Sequence, residues 1–227
     1  MTAPDPPFSA PAALAFGPDA GLPAGYARLA AGARVERGHS AGRAAGFFGP
    51  AVGEPGRNRF DLIGPRTASQ PGVCYLAFGM TGVLHERVLR GVHLPVLSRE
   101  RLNRVHAWSP AELVAPLVLL DLWLAPTVHG LQLADISAPP QPVPPPPYPV
   151  TQRLADAWAE RNATSSFPVP GGRVDGVLYG SRFGPASLCL ALWEHAAPAL
   201  AWGAARPLGR APGLAEAANR LGIGLTA

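Results

Sequence analysis

Residues 56–91, GRNRFDLIGPRTASQPGVCYLAFGMTGVLHERVLRG, gather two arginines, a tyrosine and a glutamate around one apolar run. Val73, Cys74, Tyr75, Leu76, Ala77 and Phe78 are bounded by Pro71-Gly72 and Gly79, which predicts a buried strand. Thr81 is placed to cap a helix running through Arg90, with Gly91 as its stop. Leu84 and Val88 share one face of that helix and Glu86 lies away from it. Packing therefore does not account for the glutamate, which faces water or a cleft.

Working outward, residues 1–24 are Pro/Ala-rich and are expected to be a flexible segment, mobile or laid across the surface. Residues 27–36, ARLAAGARVE, fit a helix or a short strand, and the Gly-rich stretch to residue 56 reads as a long loop. Downstream, HLPVLSRERLNRVHAWS reads as a strand followed by polar residues, 117–124 as a strand and 128–136 as a short helix. PPQPVPPPPYP at 139–149 is an extended polyproline crossing within one domain. Then come a helix over 151–162 capped by Thr151, strands at 174–179 and 188–193, and a helix over 213–221. Strands with interspersed helices and no regular βαβ alternation predict an α+β domain over residues 25–227.

Composition narrows the function. The 227 residues are 48% apolar and 15% charged, enough to bury a core, while 28 Pro and 26 Gly favour turns over long helices. All 19 basic residues are arginine and the net charge is +4, which favours an anionic ligand, because guanidinium forks hold phosphate bidentately. The arginines are scattered rather than clustered, so direct nucleic-acid binding is not expected. The N-terminus has no basic region of the kind that opens a signal peptide. Residues 113–124 are too short to span a bilayer, so the expectation is a cytoplasmic protein without membrane contact.

Gly38-His39-Ser40-Ala41-Gly42 matches a nucleophile elbow, and Asp121 or Asp135 with His129 or His195 could complete a triad. The elbow normally follows a built sheet and leads into a helix, however, and neither surrounds Ser40. The six histidines show no pair at metal-ligand spacing, and Cys74 and Cys189 stand alone in apolar runs, so no metal is expected. The remaining arginine, tyrosine, glutamate and serine residues each have an ordinary use. Glu86 and Arg90 could be a helical ion pair, Tyr75 a core aromatic and Ser181 a turn residue. Their order along the chain is what singles them out.

ARV at Arg34, GRNRFD, VCYLAF followed by HERVLRG, YPVTQRLADAW and DGVLYGSRFGPASLCLALWE resemble the RES-domain family, over about residues 34–195. Members are toxins of bacterial toxin–antitoxin pairs, similar in fold to ADP-ribosyltransferases. The resemblance implies mixed sheets with peripheral helices and an enzyme that cleaves the nicotinamide–ribose bond of NAD, as glycohydrolase or phosphorylase, with water or phosphate as acceptor. It places Glu86, Tyr75 and Ser181 in catalysis and Arg34, Arg59, Tyr75 and Ser181 in NAD binding. GRNRF offers both Arg57 and Arg59, and Phe60-Asp61 after Arg59 decides for the latter. NAD is then a substrate and no cofactor is required. A helix-turn-helix antitoxin from a neighbouring gene is the implied partner, in an oligomeric complex. The alternatives are transfer of ADP-ribose to a macromolecule and a serine hydrolase using Ser40.

Overall fold

The apolar run becomes β4 (Val73–Ala77), a central strand of a ten-stranded mixed sheet in a computed structural model that describes residues 11–90, 94–132, 135 and 148–227. Before it come β1 (Leu14–Phe16), β2 (Tyr26–Leu29) and β3 (Arg34–Ser40). After it come α1 (Met80–Val83), which continues as a π-helical turn over Leu84–Leu89, then β5 (Val96–Ser98), α2 (Arg99–Val105), β6 (His106–Leu113) and β7 (Leu117–Asp121). The rest comprises α3 (Pro149–Ala163), β8 (Gly176–Ser181), β9 (Gly184–Trp193), β10 (Leu200–Trp202), β11 (Arg206–Pro207), α4 (Leu214–Arg220) and β12 (Gly224–Thr226).

The sheet order is β1-β2-β7-β8-β9-β4-β3-β6-β10, with β11 also on β6, while β5 and β12 form a separate parallel pair. Only β7 and β8 run parallel in the large sheet. Consecutive strands β2 and β3 stand five places apart in that order. Laid flat, five strand spacings would separate them by about 24 Å, yet the turn through Ala30 and Ala33 reaches at most about 18 Å. The sheet therefore curls. Leu29, Leu117 and Leu119 from one half meet Val35, Ala111 and Leu113 from the other in a common buried interior. Met80, Val83 and Leu84, Leu102, Trp158 and Leu214 bring the helices onto the outer face.

One seam in the sheet is incomplete. β3 and β4 pair only at Glu36↔Ala77, and beyond it β3 stays with β6 while β4 stays with β9. Loop 41–72 leaves β3 and returns to bridge Gly49 and Val73 through two backbone hydrogen bonds, closing the far end of the gap. A cleft opens between the two strands. Side chains from either face of β3 can reach it, because at a parted strand both faces border the same space.

Several expectations change. The flexible segment proposed for 1–24 is not so over residues 11–24, where Leu14 and Leu22 are buried and β1 pairs with β2; residues 1–10 lie outside the described residues. The ambiguous 27–36 stretch is two strands and a turn. RERLNRV is α2, capped by Ser98, whose hydroxyl accepts from the Arg101 amide at 3.2 Å. The strand at 117–124 stops early because the Asp121 carboxylate takes the amides of Trp123 and Leu124. Thr151 is buried inside α3 rather than capping it; the helix starts at Pro149, whose missing N–H suits a first turn. Of the polyproline crossing, 139–147 lie outside the described residues; of the helix read at 128–136, residues 133, 134 and 136 also lie outside them, Asp135 is helical, and Val128 and His129 end a 3₁₀ turn over Pro126–His129.

Candidate active site

Glu86 sits in the first part of the π-helical turn, half-buried, and faces the cleft. One carboxylate oxygen accepts from the Tyr179 hydroxyl at 3.3 Å, and the other, Oε1, is buried without a hydrogen-bond partner among the described residues. An unsatisfied buried acceptor costs of the order of 1–3 kcal/mol. The turn itself is of a kind that recurs at functional sites, and it ends at Arg90, whose left-handed φ of 37° swings the chain away.

Arg59 is the second converging group. It is 6% exposed, its guanidinium carbon lies 5.5 Å from the Tyr179 ring centroid, and its Nε and one terminal nitrogen are buried without hydrogen-bond partners among the described residues. A buried donor set and a buried acceptor thus face one space, each lacking a partner. Arg57, by contrast, is exposed and does not line the cleft.

Tyr75 lines the cleft with its ring, but its hydroxyl is committed elsewhere. It donates to Asp61 at 3.0 Å and accepts from the Phe60 amide at 2.9 Å. The other Asp61 oxygen accepts from the Arg57 and Asn58 amides at 2.9 and 2.8 Å and from the Asn58 side chain at 2.9 Å. Tyr75 and Asp61 together hold the turn that delivers Arg59. Burial, reinforced by the Asp61 charge, pushes the Tyr75 hydroxyl well above its ordinary range, so it stays a donor. Tyr179 is shifted upward in the same way by burial and then by Glu86.

Two expected residues are not in the cleft. Arg34 is exposed on the first residue of β3 and pairs with Glu112 at 3.6 Å across the sheet surface. Three residues on, strand alternation sends Arg37 to the other side, where it is 9% exposed and lines the cleft. Ser181 is 1% exposed and its hydroxyl accepts from the Phe183 amide at 3.3 Å, closing the β8–β9 turn. Its neighbours Arg182 and Phe183 reach the cleft instead. The triad around Ser40 does not form either. The Ser40 hydroxyl accepts from Arg87 at 2.7 Å, the Asp121 carboxylate caps backbone amides, and His195 bonds the Val174 carbonyl.

Sequence reasoning missed Arg87, Arg43, Tyr148 and Tyr179 as lining residues. The cleft encloses about 160 Å³, less than the roughly 300–1,000 Å³ of sites that swallow a drug-sized ligand. It suits the reacting end of a longer molecule whose remainder lies along the open mouth.

A sequence profile of the RES domain matches residues 32–211. Among solved structures, a chain of the MbcT–MbcA toxin–antitoxin complex of M. tuberculosis is similar over 76% of this chain and 81% of its own, with 17% identity and a TM-score of 0.49. Comparison with curated proteins yields no match.

Proposed function

This chain belongs to the RES-domain family, whose domain spans residues 32–211, and on that premise we propose that it is a toxin that degrades NAD by cleaving the nicotinamide–ribose bond, with water or phosphate as acceptor. The observation that carries the reading is the facing pair of buried atoms without a hydrogen-bond partner among the described residues, Glu86 Oε1 on one side and Arg59 Nε and one of its terminal nitrogens on the other. They await a ligand that is cationic or hydroxyl-bearing at one end and anionic at the other. NAD is such a molecule, with a pyridinium and ribose hydroxyls at the reacting end and a diphosphate beyond. It enters as substrate, and no cofactor is needed.

As the bond lengthens, positive charge develops on the ribose, and a fixed carboxylate beside it lowers the barrier because its field is in place beforehand. Glu86 supplies that carboxylate and can accept from a ribose hydroxyl through its open oxygen. Arg59, with Arg90 and Arg182 beside it at the cleft, grips the diphosphate and fixes the pose. Tyr148 and Phe183 offer aromatic faces to the nicotinamide.

The implied partner is a helix-turn-helix antitoxin encoded nearby that covers the cleft mouth in an oligomeric complex, acidic where it meets the arginines. Among the described residues no helix is long and apolar enough to cross a membrane, and the cytoplasm, where NAD is held, is the compartment this reading requires.

Purified protein incubated with NAD should release nicotinamide together with free ADP-ribose or its phosphate. Glu86→Gln, which preserves size and can still accept from Tyr179, should lose at least about a hundredfold in rate with an unchanged thermal midpoint. An equally active variant would remove the mechanism, and label appearing on protein or nucleic acid would point to macromolecular transfer.

A further inference from the structure

The cleavage mechanism leaves one carboxylate of the cleft unused. Glu36 is half-buried on β3 and lines the cleft. Its Oε2 accepts from the Trp108 indole N–H at 2.8 Å, and no hydrogen bond to Oε1 is seen among the described residues. Arg37, Arg43 and Arg87 line the same cleft, yet no salt bridge to Glu36 is seen among the described residues either. Strand alternation sends the adjacent Arg37 to the opposite face. Burial pushes the Glu36 carboxyl upward, and the Trp108 bond draws it back down. A cation is therefore not what this group is built against.

Strand register fixes how far Glu36 stands from the reacting end. Glu36 pairs with Ala77, Ala77 with Cys189 and Cys189 with Tyr179, so the four side chains share one face along a single row. Three strand spacings put Glu36 about 14 Å along the sheet from Tyr179, whose hydroxyl holds Glu86. Between them α1 rests on the sheet at Gly82, where an added Cβ would lie 2.7 Å from the Ala77 Cβ. One reacting atom cannot touch both carboxylates. With Glu86 and Tyr179 at the nicotinamide ribose, the hydrogen-bond donors left for Glu36 belong to the adenosine half of the dinucleotide.

We propose that Glu36 is a specificity-determining residue that accepts a hydrogen bond from the adenosine half and rejects a dinucleotide carrying an anion or an acceptor at that place. The proposal rests on the NAD reading above and names which dinucleotide the site takes. Two groups share the required chemistry, the 2′-hydroxyl of the adenosine ribose and the 6-amino group of adenine. An ionised carboxylate only accepts. A 2′-phosphate would meet it as a like charge, and a 6-oxo group as a second acceptor, and such unpaired contacts are what discriminate between close analogues.

The test measures nicotinamide release by the full chain and by Glu36→Gln from NAD, NADP and the NAD analogue with hypoxanthine in place of adenine. Calorimetric binding of ADP, its 2′-phosphorylated form and IDP is measured on both proteins. Gln keeps the side-chain length, still accepts from Trp108 and offers the cleft a donor, so the thermal midpoint should not change. Wild type should favour NAD over at least one analogue by about tenfold or more in kcat/KM, and Glu36→Gln should remove most of that preference. A preference against NADP lost in the variant identifies the ribose hydroxyl, and one against the hypoxanthine analogue identifies the amino group. Equal use of all three dinucleotides by wild type, or a preference that survives the substitution, overturns the assignment while leaving NAD cleavage standing. Failure of wild type to release nicotinamide removes the cleavage reading instead, and the binding series then decides: a preference for ADP that Glu36→Gln abolishes keeps the assignment, and any other result overturns it.

Discussion

The Tyr75 hydroxyl and the Asp61 carboxylate meet at 3.0 Å, and their bond fastens a strand to the turn that carries Arg59. Removing the hydroxyl in Tyr75→Phe leaves the Phe60 amide and one Asp61 oxygen short of a partner each. The expected destabilisation is about 1–3 kcal/mol by urea denaturation. Because the ring still lines the cleft, KM for NAD should rise more than kcat falls. A tyrosine acting directly on the reacting bond would show the reverse.

Arg34 and Arg37 give a second contrast. The Arg34–Glu112 pair is exposed on both sides, and such pairs are worth about 0–1 kcal/mol. Arg34→Ala should therefore change neither stability nor NAD turnover measurably. Arg37→Ala should impair turnover several-fold or more, measured side by side. Equal loss in the two variants would contradict the placement.

Gly184 abuts the His85 ring. A Cβ built there would lie 2.0 Å from His85 Cε1, and the ring cannot swing aside freely because its Nδ1 shares a 2.9 Å hydrogen bond with Ser187. Gly184→Ala should cost about 1–3 kcal/mol as overpacking. Since His85 immediately precedes Glu86, activity at a temperature where the variant is fully folded should also fall. A fully active, stable variant would show that this contact yields.

Stability should depend on pH through His106. Burial, and then Arg87 and Arg101, hold its imidazole down at about 4. The folded pKa lies below the ordinary 6.5, so between those values the unfolded chain binds a proton that the fold refuses. Stability is therefore lost as pH falls from 6.5 towards 4 and is unaffected by this group above 6.5. His39, His85, His129 and His195 are also shifted downward, in each case chiefly by burial. Buried carboxyls such as Asp61, shifted upward, work in the opposite direction. The informative measurement is the difference between wild type and His106→Gln. The variant's urea midpoint should fall less between pH 7 and 4.5, and identical slopes would rule His106 out.

Much of the site was legible because its strand and helix obey local rules. The run at 73–77 and the Gly79 stop fix Tyr75 and Glu86 eleven residues apart on two elements that fold back on one another. Phe60-Asp61 picked out Arg59, and Asp61 proves to be the reason that turn exists. That Arg34 lies outside the cleft has a physical source. The gap between β3 and β4 opens only from the Glu36↔Ala77 pairing onward, two residues past Arg34, and the apolar content of residues 27–36 left helix and strand undecided. The opening between β3 and β4 depends on which strands pair, and no local pattern encodes that. Ser181 is set apart from the cleft by one residue's worth of turn geometry, which buries the serine while Arg182 lines the cleft. Helix α2 buries only Leu102 among seven residues, so it left almost no periodic trace.

The strands at the margins of the curled sheet are short: β1 and β10 have three residues each, and β11, which shares β6 with β10, has two. A sheet of this breadth could act as a template for polymerisation, with each new molecule adding strands to the last. Rims this short present few unclaimed amides and carbonyls to an incoming chain. A wide sheet with abbreviated margins can therefore accumulate in a crowded cell without seeding fibrils.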